Sequence, residues 1–371
     1  MDNLEFNIEE TENKEVMLLT IGGKKYYIGK YLSIIFELFT NGVSIDNIVK
    51  TLNSFTKTNT FNQKFVEAII EDKIEPIIQN QNKIVKSSVI KIFSIIEPTK
   101  FDIIFQKLTF LFKAPIFYTI LSITFLTNLF FYFFYVKPEA TADKLQLPII
   151  AISIILIVLV HEIGHSIASF YYKITPKEIG FGLYFIFPAL YTDLTETWKL
   201  KKESRIVINI AGIYFQLIIN FFLIAFLYTN VFNNYILYTI ILSSQLICLF
   251  NLNPFFKFDG YWIYSDYFNI PNLRKQTLDL YAKFIENPSF KKVRMSLLIY
   301  AFLNLLFMSY IICRIIAFIF SQHMLIYNYV INRDISNISI INWLMFALSF
   351  ILIYILISKC VRIYKTYFNE K

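Results

Sequence analysis

Hydrophobic positions along this chain follow three rhythms. Over residues 16–80 they recur at short, mixed spacings; over 83–113 they are interleaved with lysines; beyond 114 they run almost unbroken for long stretches. The long runs fall near 114–136, 147–170, 206–228, 235–253, 295–320 and 341–359. Each matches the roughly 20 apolar residues that a helix needs to cross a hydrocarbon core. Composition agrees, with 56% hydrophobic and 18% aromatic residues, 17% charged ones and a mean hydropathy of +0.53. The expected fold is mainly α: a polytopic membrane protein with about six transmembrane helices and a small α+β, winged-helix-like N-terminal domain.

The net charge of +8 over 371 residues would fit a nucleic-acid binder, but the placement of the basic residues points elsewhere. Lys83, Lys86, Lys91, Lys100, Lys107 and Lys113 precede the first span, and Lys173, Lys177, Lys199, Lys201, Lys202 and Arg205 lie between the second and third. Lys257, Arg274, Lys275, Lys283, Lys291, Lys292 and Arg294 follow the fourth span, and Lys359, Arg362, Lys365 and Lys371 follow the sixth. The remaining connections hold Lys137, Lys144 and Arg333. This asymmetry obeys the positive-inside rule and places both termini in the cytoplasm. The excess charge is therefore topological: the expected partner is the lipid bilayer, with no nucleic acid. No short basic region followed by an apolar core stands in the first hundred residues, so no cleavable signal peptide is expected. Cys248, Cys313 and Cys360 lie in or beside spans, which supports neither a disulfide framework nor a cysteine metal site.

Residues 1–80 form the expected cytosolic domain. "EVMLLTIGGKKYYIG" reads as two strands joined at Gly22-Gly23. "KYLSIIFELFTNG" has helical spacing at Leu32, Ile35, Phe36 and Phe39 and stops at Asn41-Gly42. Ser44 is the candidate N-cap of a second helix, "IDNIVKTLN", and "NQKFVEAIIED" makes a third. This order resembles the small PqqD-like domains that recognise leader sequences of ribosomally made, modified peptides. The resemblance implies that a precursor peptide adds along the strand edge near Lys24 to Ile28; a generic docking cap is the alternative. Residues 81–113 read as a linker containing an interfacial amphipathic helix on anionic lipid, and 114–371 as the membrane domain.

The chemistry begins at "VLVHEIGHSIASF", residues 158–170. His161 and His165 stand four apart, so both imidazoles share one helix face and can share a zinc ion, while Glu162 stands beside them as a candidate general base. Two of the three histidines in the chain fall in this motif, inside a hydrophobic run where ionisable groups are costly and mark function. A zinc site of this kind takes a third protein ligand. His323 is expected on the opposite side of the bilayer, whereas Asp259, in "NLNPFFKFDGYW", sits at the cytoplasmic end of the fourth span, level with the histidines.

His161, Glu162 and His165 followed by Asn251, Pro254, Asp259 and Gly260 resemble the paired signature of site-2-protease-type intramembrane zinc metalloproteases. "KEIGFGLYFIFPALYTDLTETWKLKKESRIVINIAG" and "NLNPFFKFDGYWIYSDYFNIPNLRKQ" look like the peptide zinc metalloprotease branch of bacterial peptide maturation and export systems. The likeness implies zinc held by His161, His165 and Asp259, catalysis by Glu162, and a bacterial cytoplasmic membrane location with a peptide exporter as a candidate partner. It implies substrate or oxyanion contact by Asn251, for which helix-packing glue is the alternative. The family's G-P-x-x-N stretch is matched here by Gly212, Ile213, Tyr214, Phe215 and Gln216, so Gln216 would take the substrate-binding place without the proline. Gly180 to Asp193 reads as a re-entrant hairpin whose edge can hold an extended substrate, or as a surface-lying loop, with Asp193 structural. A reading from a different class is a non-proteolytic zinc-binding component of peptide export or immunity.

Overall fold

The computed structural model describes residues 5–22, 24–57, 60–79, 89–135, 146–184, 187–229, 231, 233–286, 293–332 and 338–368. It divides into two compact units, Met1–Asn269 and Ile270–Lys371.

The first unit opens with strands β1 (Phe6–Glu10), β2 (Val16–Ile21) and β3 (Lys24–Gly29), an antiparallel sheet in the order β1-β2-β3. The β2–β3 hairpin is the expected one. β1 was not legible as a strand, because "FNIEE" carries two charges in five residues. Helices α1 (Lys30–Thr40), α2 (Ile45–Thr56) and α3 (Gln63–Ile69) follow, the last continuing through a wide turn at Ile70–Ile74 into α4 (Glu75–Gln79). Gly42 has φ +75°, the left-handed conformation that ends α1 cheaply. Ser44 occupies the N-cap of α2 but makes no side-chain cap bond; the working cap is Asn62, which accepts from the Phe65 amide at the start of α3.

The side chains of Leu19, Ile21, Ile28, Ile35, Phe36, Ile48, Leu52 and Val66 bury one face of this sheet against the helices. Strand alternation sends Glu9, Leu18 and Tyr27, which stand in register, to the other face. That face docks on residues 195–201. Lys25 Nζ donates to the Thr195 carbonyl (2.6 Å), Tyr27 Oη to that of Trp198 (2.6 Å), and Lys199 pairs with Glu9 (3.1 Å). The Glu12 amide donates to the Lys199 carbonyl (2.9 Å). Leu18 is fully buried even though it faces away from the helices.

Residues 89–96 depart from expectation. Instead of an interfacial helix, Val89–Ile96 forms strand β4, paired antiparallel with β5 (Ile179–Tyr184), which in turn pairs with β6 (Phe187–Thr192). Residues 81–88 of that predicted segment lie outside the described residues. The run "VIKIFSII" is dominated by isoleucine and valine, and its amide groups are satisfied by a partner about ninety residues away. The later part is helical: α5 (Asp102–Leu108) is flanked by 3-10 turns at Pro98–Phe101 and Thr109–Phe112. The expected hairpin over Gly180 to Asp193 is β5–β6. Gly180 is required there because a Cβ would meet the Tyr191 ring at 2.6 Å.

The membrane bundle of this unit comprises α6 (Ala114–Phe134), α7 (Leu147–Tyr171), α8 (Lys202–Leu227) and α9 (Asn234–Asn251), followed by the short α10 (Asp259–Tyr267). Amides fasten its interior: Asn128 donates to the Leu217 carbonyl, and Gln245 to the Asn128 side chain and carbonyl. The second unit holds α11 (Leu273–Glu286), α12 (Met295–Ile331) and α13 (Ile340–Phe368). In it, His323 packs against Phe346 and Phe350 with ring centroids at 4.8 and 5.4 Å.

Among the described residues, five helices are long and apolar enough to cross a membrane, α6, α7, α8, α9 and α12, and Ile340–Ile355 is a shorter apolar stretch. These match the six predicted runs in place. α12 continues eleven residues past its predicted end, because "SQHMLIYNYVI" extends the helical pattern without a breaker.

Candidate metal centre

The centre is assembled from α7, α8 and α10. His161 and His165, one turn apart on α7, bring their Nε2 atoms to 3.1 Å of each other. Asp259, the first residue of α10, places Oδ2 3.1 Å from His161 Nε2 and Oδ1 3.4 Å from His165 Nε2. These ligand atoms form a compact triad, and both histidines are 3% exposed. Four ligands at zinc–nitrogen and zinc–oxygen distances of about 2.0–2.1 Å form a tetrahedron with edges of about 3.3–3.4 Å. The observed separations lie within a few tenths of an ångström of that edge.

The other ring nitrogens fix the tautomers. His165 Nδ1 donates to the Ile208 carbonyl (2.7 Å), and His161 Nδ1 to the Gln216 side-chain carbonyl (2.8 Å). Each Nε2 therefore carries a lone pair toward the shared point. Buried Asp259 Oδ2 has no hydrogen-bond partner among the described residues. Two nitrogen lone pairs and a carboxylate converging without a proton donor are a donor set for a divalent cation, and zinc fits it.

Local sequence explains each placement. α9 stops at Asn251, and the chain turns through Asn253, whose Oδ1 accepts from the Phe255 amide (2.8 Å). The turn is tight enough that a Cβ on Gly260 would lie 2.1 Å from the Leu252 carbonyl oxygen, so the Asp-Gly pair brings a carboxylate and a close backbone contact to one spot. On α8, Gly212 lies directly beneath the triad: a Cβ there would be 2.5 Å from both Nε2 atoms. Gly164 does the same for helix packing, where a Cβ would meet the Ala211 carbonyl at 2.6 Å.

Glu162 is 8% exposed, and its Oε2 accepts from Thr192 Oγ1 at 2.7 Å. Thr192, the last residue of β6, also reaches the Glu162 carbonyl at 3.0 Å. The hairpin that carries it is pinned by Lys91 on β4, which bonds Glu178 (2.7 Å) and Asp193 (2.8 Å). Burial pushes the Asp193 carboxyl up, but Lys91 and Thr195 more than offset it and hold it below the ordinary value. Hydrogen bonds from Lys91 and Tyr191 likewise lower Glu178.

The structure thus brings together His161, His165, Asp259 and Glu162. Gln216 is placed differently from expectation: fully buried, it faces the ring of His161 with its carbonyl and also accepts from Cys248 Sγ (3.3 Å). No surface of it is left for a substrate. Asn251 ends α9, half-buried, with no hydrogen bond to the triad among the described residues. Thr192 and the Ile208 carbonyl were not found from sequence, and Gly212 was named there only as the head of the stretch matched to G-P-x-x-N. Gly212 alone carried a signal, as a glycine inside an otherwise bulky helical run.

No family model matches the chain, and no solved structure matches it. It is 29% identical over 141 residues to a protein of Bacillus subtilis (strain 168) named "Putative peptide zinc metalloprotease protein YydH". The aligned part is 38% of this chain and 52% of that protein, so the chain spans about half the length of the curated relative it matches. That relationship is distant, and it joins this chain to a protein whose name agrees with the zinc-type donor set of His161, His165 and Asp259.

Proposed function

We propose that the protein is an intramembrane zinc metalloprotease that hydrolyses a peptide bond of a precursor or membrane-associated peptide. The observation that carries the reading is the tetrahedral spacing of His161, His165 and Asp259 with the Glu162 carboxylate on the adjoining residue. Zinc held there supplies Lewis-acid polarisation of the attacking water and of the scissile carbonyl. Glu162 would take a proton from the attacking water as the water oxygen bonds to the carbonyl carbon. The same carboxyl then delivers the proton to the amide nitrogen as the C–N bond breaks. Gln216 and the Ile208 carbonyl hold the two rings in the ligating tautomer.

The β6 strand is an edge of its sheet and ends at the residue bonded to Glu162. An extended substrate segment added there would run toward the base, unwound as hydrolysis requires. The N-terminal domain is read as a PqqD-like recognition module, since its own sheet leaves β3 as an edge. The exposed apolar side chains of β4 and α5, among them Ile90, Ile92, Phe93, Ile103 and Ile104, suit a segment lying on the bilayer surface. The basic asymmetry of the loops supports termini and a centre on the cytoplasmic side, read here as that of a bacterial inner membrane. Peptide maturation with an exporter is the context that this assembly fits.

The test uses the full chain in detergent micelles with a library of internally quenched apolar peptides and zinc quantified by mass spectrometry. Glu162→Gln is expected to retain zinc and to lose cleavage by about 10²–10⁴-fold. Cleavage at the wild-type rate by that variant would overturn the protease reading and favour a zinc-binding role without hydrolysis.

A further inference from the structure

We propose that Tyr27 of the N-terminal sheet and the Arg205–Asp266 pair form a clamp that positions the third metal ligand, Asp259. The inference rests on the metal-site reading above. It makes the N-terminal domain a structural contributor to the centre.

α10 is nine residues long, with Asp259 first and Asp266 eighth. Seven residues are two helical turns, so the two carboxylates lie on one face. Opposite them on α8, Arg205, Asn209, Gly212 and Gln216 follow at spacings of four, three and four, which is also one stripe. α10 is fastened at both ends, to α8 at one and to α7 at the other. At one, Arg205 donates through Nε (2.9 Å) and Nη2 (2.6 Å) to Asp266 Oδ1, and Asn209 reaches Oδ2 at 3.4 Å. At the other, Asp259 meets the histidines at 3.1 and 3.4 Å. The position of the Asp259 carboxylate therefore depends on the register that Arg205 and Asp266 hold.

Arg205 is in turn held by the N-terminal domain. Its Nη1 donates to Tyr27 Oη (2.8 Å) and to the Leu200 carbonyl (2.8 Å), and its guanidinium lies 5.6 Å from the centre of the Tyr27 ring. Tyr27 donates its own proton to the Trp198 carbonyl, and burial pushes its hydroxyl up to about 12, so it stays protonated. Trp198 packs on Tyr27 on one side and on Trp262 of α10 on the other, at 5.8 and 6.1 Å. The side chains of Arg205 and Asp266 are 12% and 13% exposed, a degree of burial at which removing one partner leaves a poorly solvated charge and forces the helix to adjust. β3 is also a sheet edge, so an extended peptide added there would lie on the strand that carries Tyr27.

The experiment measures Zn2+ affinity of the full chain in micelles by competition with a chromophoric chelator, together with the visible absorption bands of the Co2+-substituted protein. Asp266→Asn is expected to weaken Zn2+ about 10-fold or more, in the range seen when a partner of a ligand is lost. Its Co2+ bands should shift as Asp259 moves. Tyr27→Phe removes one hydroxyl and keeps the ring, and is expected to weaken Zn2+ several-fold. The double variant should bind no more weakly than Asp266→Asn, within about twofold, because both act through one path. Thermal unfolding of the metal-free variants separates a shifted ligand from a lost fold. Unchanged affinity and unchanged Co2+ bands in Tyr27→Phe would overturn the proposal, and so would fully additive losses in the double variant. His161→Ala keeps the two ideas apart: wild-type affinity in that variant would overturn the metal assignment itself, whereas its loss beside an unaffected Tyr27→Phe would sink only the clamp.

Discussion

Gly212→Ala should stabilise its helix and destroy the centre. In a helix interior, alanine is favoured over glycine by about 0.5–1 kcal/mol, so on backbone grounds the change is beneficial. The new methyl, however, would lie 2.5 Å from His161 Nε2, 2.5 Å from His165 Nε2 and 2.6 Å from His161 Cε1. Each contact is about 1 Å inside ordinary van der Waals separation. Neither ring can yield by that much, because His161 is tied to Gln216 and His165 to the Ile208 carbonyl. Zinc ligation tolerates only about 0.2 Å of error. The expected outcome is a loss of zinc affinity on the order of 100-fold or more, beyond the effect of losing an outer-shell partner, with an equal or higher thermal midpoint for the metal-free protein. Zinc stoichiometry by mass spectrometry, chelator competition and differential scanning of the metal-free chain read the two effects separately. A Gly212→Ala protein that holds zinc with wild-type affinity would refute the placement of the cation between these rings.

Other outcomes follow from the same geometry. Thr192→Val keeps the shape but removes the donor to Glu162; the lost charge-assisted bond is worth about 1.5–3 kcal/mol, so turnover should fall about 10- to 100-fold with zinc content unchanged, and Thr192→Ser should recover most of it. A Thr192→Val enzyme at full rate would show that Glu162 needs no holder. Gln216→Leu should cost about 10- to 100-fold in zinc affinity with little change in metal-free stability, since its Nε2 already lacks a partner among the described residues; equal zinc affinity would return Gln216 to some other role. The lowered carboxyls of Asp193 and Glu178 contribute stability that is present above the ordinary carboxylate range near about pH 4 and is lost as pH falls through their folded values. Hydrogen exchange across residues 179–192 should therefore stay slow to below that range in the wild type. In Lys91→Met, protection should drop by about 1 kcal/mol at neutral pH, the modest size reflecting a half-exposed ammonium; identical exchange profiles would show that the ion pairs do not secure the hairpin.

The sequence announced those features whose cause is local. A membrane helix is its own apolar run, so α6 to α9 could be placed to within a few residues and α12 by its start, and two histidines four apart in such a run already specify half of a candidate metal site. Asp259 was a candidate from sequence because it stands at the cytoplasmic end of the fourth run, level with the histidines. What stayed hidden depends on partners far along the chain. β4 looked like an interfacial helix because its lysine and isoleucines suit a lipid surface equally well, and nothing near it indicates that β5 will satisfy its amides. Gln216 looked like a substrate ligand because an amide in that position has the chemistry for one; only the packing of α8 on α7 turns its carbonyl toward His161. Thr192 carried no signal at all, since a threonine at the end of a strand is ordinary until Glu162 is beside it.

The geometry of a helix explains why this centre had to be built from separated segments. One face of α7 can offer His161 and the residue four later, and the next residue on that face, Ala168, about 4.5 Å beyond His165 along the axis, ends in a methyl group. On the other side of the motif the face continues with Ile157 and Val158, so α7 itself offers no third ligand atom. Glu162, one residue on from His161, is rotated about a quarter turn away from the ligand face, which leaves the base beside the metal point but without a neighbour on its own helix to hold it. The missing ligand and the missing donor must both come from elements that lie across α7, and they do: α10 supplies Asp259, and β6 supplies Thr192. Both elements are fixed by polar contacts, Arg205–Asp266 for one and Lys91 with Glu178 and Asp193 for the other. On the proposed reading the apolar helix provides the reacting groups, and the charged connections, which read in the sequence only as topology, set the distances at which those groups would act.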